Sequence, residues 1–185
     1  MYSESRAALL VSSRSALEVR SMMERLFGDK RYEPFSSTLP KGYPAGAWEW
    51  IGLAIDSNAE KQTTAIIPSN VSQVFTIALW TAKQYADLSF SAWQHLRDLP
   101  PVLKYYASGR PQWRVGDDED LEVGWKIPTA LPVGVQPPET LGLPVTPGAI
   151  ESFLERPVLP YDAFRGAGGS TWTRLGFIDR RSPLA

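Results

Sequence analysis

Among the side chains able to move a proton, His95 is the one histidine in a chain of 185 residues. A multi-histidine metal site is therefore excluded, and any serine nucleophile would depend on this single imidazole. Asp98 follows at a spacing that could orient the ring, yet no nucleophile-elbow glycine pattern surrounds any serine. A helix residue, partly buried or solvated, is the stronger reading of His95. The run Asp117, Asp118, Glu119, Asp120 and Glu122 crowds oxygen ligands together, but it lacks the Asp-x-Asp-x-Asp-Gly alternation that wraps a loop around calcium. It reads as the solvated acidic tip of a hairpin, able to dock a basic partner surface. Carboxylate pairs for glycoside hydrolysis assemble only in the fold, and the sequence is silent on them.

Gly166 to Thr171 has the glycines of a phosphate-cradling loop, without the following lysine or helix. The spacings Pro144-x-x-Pro147 and Pro157-x-x-Pro160 match polyproline recognition in form and arise readily where prolines are dense. Basic and aromatic residues interleave at Lys104-Tyr105-Tyr106, Arg110 and Trp113-Arg114, a mixture that stacks on single-stranded bases in some proteins. The net charge of −1 opposes that reading, and packing in the core and at its rim is preferred. No catalytic residue, metal or cofactor is expected. Seven tryptophans exceed what a small core needs and point to interfaces.

The chain contains no cysteine, which removes disulfides, thiolate metal sites and cysteine nucleophiles together. The apolar run Ala7 to Val11 is too short for a signal segment, and Val74 to Trp80 too short to span a bilayer. The expectation is a protein without membrane insertion, in the cytoplasm or in a particle assembled there.

The elements that would position these residues follow from breakers and periodicity. No proline or glycine interrupts Ser3 to Phe27, which predicts a first helix with Ala8, Val11, Val19, Met22, Met23 and Leu26 on one face. Leu10 and Leu17 then fall on the opposite face as a second contact. Trp48 to Ile55 and Thr63 to Ile67 read as an antiparallel strand pair. A second helix is expected from Ser69 or Asn70 to about Leu99, stopped by Pro100-Pro101. On its wheel Trp80 lies about 180° from Val71, amid Thr76, Lys83, Gln84 and Asp87. Gln112 to Val115 and Leu121 to Ile127 are expected to form the acidic-tipped hairpin, and Thr171 to Ile178 a last strand. No internal repeat is visible.

The prolines are lopsided, with eight in the 33 residues from Pro128 to Pro160. Many follow an apolar residue, as in Leu131-Pro132, Leu143-Pro144 and Leu159-Pro160, so apolar side chains are held on extended backbone. Such a segment needs a surface to lie on. The expected architecture is α+β: residues 1–127 form a core of two helices on a small, mainly antiparallel sheet. Residues 128–185 form a proline-rich extended arm with a short helix at 147–155 and the terminal strand. The function expected is that of a non-catalytic structural or assembly subunit, such as a capsid, tail or other virion component. It would oligomerise or bind another protein through Trp80, Leu10, Leu17, Leu143, Phe153, Leu159 and Phe164. The alternatives are an enzyme or small-ligand protein using carboxylates, tyrosines and arginines in a cleft, and an inhibitor or immunity-type protein docking through Asp117 to Glu122.

Overall fold

The computed structural model of the protein describes residues 5–35, 49–58, 63–96, 102–115 and 173–180. They contain two α-helices and eight β-strands, and every strand pair with a defined register is antiparallel, so the fold class is α+β. These residues divide into two compact units that interleave along the chain. Residues 5–9 and 71–115 belong to one; those between Leu10 and Asn70, with 173–180, belong to the other.

The run Ala7 to Val11 is the centre of a strand, β1 (Arg6–Ser12), and all five residues are buried. A short, continuous apolar run suits a strand covered on both faces. This corrects the long first helix, since the chain turns at Ser13, whose φ is +57°, before the helix begins. Helix α1 (Ala16–Asp29) starts from a capping box: the Glu18 N–H donates to Ser15 Oγ at 3.3 Å, and the Ser15 N–H donates to Glu18 Oε2 at 2.8 Å. Both bonds satisfy donors that a helix start leaves open. Its buried stripe is Val19, Met23, Leu26 and Phe27. Leu10 is therefore a core strand residue, whereas Leu17 is 73% exposed on the helix; the shared face assigned to them does not exist.

The other strands of the α1 unit are β2 (Glu33–Pro34), β3 (Glu49–Asn58), β4 (Thr63–Pro68) and β8 (Thr173–Asp179). Their hydrogen-bonded order is β2-β8-β3-β4-β1. The expected β3–β4 pair forms, with Leu53 opposite Pro68 and Asn58 opposite Thr63. The terminal strand also forms, and it is interior to the order, paired with β3 from Glu49↔Asp179 to Ile55↔Thr173. Phe27 of α1 stacks on Phe177 of β8 at 4.4 Å and meets Tyr32 edge-on, which seats the helix on this sheet. At the register pair Gly52↔Gly176 a side chain would not fit. A Cβ on Gly52 would lie 2.7 Å from the Trp50 ring, and one on Gly176 would lie 2.8 Å from the Phe35 carbonyl oxygen.

In the other unit the order is β1-β5-β6-β7, with β5 (Phe90–His95), β6 (Val102–Ala107) and β7 (Arg110–Val115). Its helix, α2 (Val74–Gln84), follows a 3-10 turn at Val71–Gln73. The helix expected to reach Leu99 thus ends at Gln84, and the segment holding Trp93 is strand β5. Alternation decides this: Ser91 and Trp93 share one face of β5, Phe90 and Ala92 the other, a period of two rather than 3.6. Strand β7 pairs with β6 through a two-residue turn in which Ser108 and Gly109 both have positive φ. That combination is the hairpin turn whose twist matches the strands. Residues 121–127, the arm segment 128–172 and the helix expected at 147–155 lie outside the described residues.

Candidate functional site

The most distinctive surface in the described residues is built on α2. Its entry is fixed from β5, where Gln94 Nε2 donates to the Val71 carbonyl at 2.8 Å. Val74, Ile77, Ala78, Thr81 and Ala82 form the buried side, and the one hydroxyl among them, that of Thr81, donates to the Ile77 carbonyl at 2.7 Å. That hydroxyl is thereby satisfied within the helix. The other side of the helix presents Phe75, Thr76, Leu79, Trp80 and Lys83.

That second side is also largely apolar. Leu79 is 40% exposed, Phe75 and Trp80 are half-buried, and Lys83 is the only charged residue of the eleven in α2. A helix hydrophobic around its circumference normally has cover all round. One flank of Phe75 is used internally: the ammonium of Lys104, a buried residue of β6, sits 4.4 Å from its ring centroid. This cation–π contact lets a lysine remain in a mostly apolar setting. Leu79 and Leu17 are the exposed large hydrophobics among the described residues, and they lie on different helices.

The remaining residues singled out from sequence separate into three groups. Trp80 is on the outer side of α2, as its wheel position implied. Leu10 is in the core, and Tyr105 and Tyr106 are buried strand residues of β6, so none of the three lines an open cleft. Leu143, Phe153, Leu159 and Phe164 of the arm lie outside the described residues. So do the acidic residues Asp117, Asp118, Glu119, Asp120 and Glu122, and Asp98. His95 is the last residue of β5 rather than part of a helix. Leu79 was missed, although its place four residues after Phe75 and next to Trp80 carries the signal of an outward apolar stripe.

The α1 unit carries a polar group at one end of its strands. Tyr32 donates its hydroxyl to Glu49 Oε2 at 2.6 Å, and Arg180 pairs with Glu33 at 3.1 Å. Asp179, buried, is the register partner of Glu49. Among the described residues no group of three or more histidines and carboxylates is placed to hold a metal ion. None of their helices is long and apolar enough to cross a membrane. The carboxyl of Glu18, at the start of α1, is perturbed. The Ser15 backbone N–H, then the Ser15 hydroxyl and the Arg14 guanidinium, hold its pKa below the usual range. That is a capping device, not a catalytic one.

Comparison with protein-family models, curated proteins and solved structures gives no match.

Proposed function

We propose that the protein is a non-catalytic assembly subunit, of the kind that builds a capsid, tail or other particle. In this reading the outer side of α2 is its contact surface and the proline-rich arm a second binding element. The observation that carries it is the two-sided apolar character of α2: a buried side whose one hydroxyl is satisfied within the helix, and an outer side with Leu79 40% exposed beside two aromatics. Aromatic and aliphatic groups gathered on one helix face, with charge nearly absent, match the composition of interface centres. The partner is protein, either a second copy or another subunit. The absence of cysteine suits a cytoplasmic setting or a particle assembled there.

The test is self-association of the full chain compared with its Trp80→Ala variant. If Trp80 anchors the contact, truncation weakens association by about 2 kcal/mol, close to thirtyfold in dissociation constant. Identical dissociation constants would remove Trp80 from the contact.

A further inference from the structure

We draw no further inference here: the strongest candidate, the outer apolar side of α2 around Phe75, Leu79 and Trp80, belongs to the surface already described, and nothing in the described residues shows what covers it.

Discussion

Replacing Gly176 by alanine tests the packing of the α1 unit at its tightest point. The new methyl group would lie 2.8 Å from the carbonyl oxygen of Phe35, a backbone atom that cannot rotate aside. Phe35 is itself fixed there, since its N–H donates to the Gly176 carbonyl at 2.7 Å. Overpacking of this kind costs about 1–3 kcal/mol. Opposing it, loss of glycine's freedom in the unfolded chain stabilises by about 0.5–1 kcal/mol, and Gly176 has no left-handed φ that would exclude alanine. The net expectation is a destabilisation of about 1–2 kcal/mol, or a Tm lowered by about 2–8 °C for a chain of this size. Gly28→Ala is the control of opposite sign. It is exposed within α1 with nothing inside 4 Å of the added carbon, so it should stabilise by about 0.5–1 kcal/mol. Differential scanning calorimetry of the two variants and the parent gives the answer. A Gly176→Ala protein melting at or above the parent would refute the close approach of Phe35 to β8.

Three further outcomes follow from the same structure. Ser15→Ala should cost about 0.5–2 kcal/mol at neutral pH through loss of the N-cap. Because Glu18 is held below its ordinary pKa, the capping box contributes fully above the unfolded value and is lost as pH falls through the lower folded one. The gap in urea midpoint between parent and Ser15→Ala should narrow in acid only by the share that the Ser15 hydroxyl supplies, because the variant keeps the backbone N–H that donates to Glu18, and a gap that widens in acid would contradict the box. Leu10→Asp should abolish cooperative unfolding, because it puts a carboxylate into a buried strand, while Leu17→Asp should shift stability by less than about 0.5 kcal/mol. Equal effects in circular dichroism melts would revive a shared helix face. Tyr32→Phe should lower stability by about 1–3 kcal/mol, since it deletes a part-buried bond to the Glu49 carboxylate. An unchanged urea midpoint would show that the bond adds nothing.

How much of this was legible in sequence depended on which signals compete. The β3–β4 pair and β8 were readable because β-branched and aromatic runs there are bounded by turn residues. The two helices were overextended for one physical reason: absence of proline and glycine permits a helix but does not compel one. In the first case the polar cluster Ser12-Ser13-Arg14-Ser15, with Glu18 three residues after Ser15, carried a helix-start signature inside the segment. In the second, the period of two from Phe90 to Trp93 outweighed the lack of breakers. The Ser108-Gly109 turn was also present as a dipeptide signal, and with it the β6–β7 hairpin. The outward direction of Trp80 was legible because it lies within the part of the segment that is helical. Burial of Leu10 was not, since it followed from the wrong period.

Sedimentation velocity of the full chain across a concentration series, alongside Leu79→Asp, tests whether the outer side of α2 drives association. Leu79 is exposed, so the substitution leaves the core intact, and at dilutions where both proteins are monomeric their thermal melts should coincide. The expected result is species heavier than the 20.5 kDa chain that grow with concentration in the parent and are absent in Leu79→Asp. A parent that stays at 20.5 kDa throughout, or a Leu79→Asp protein that associates equally well, would contradict it.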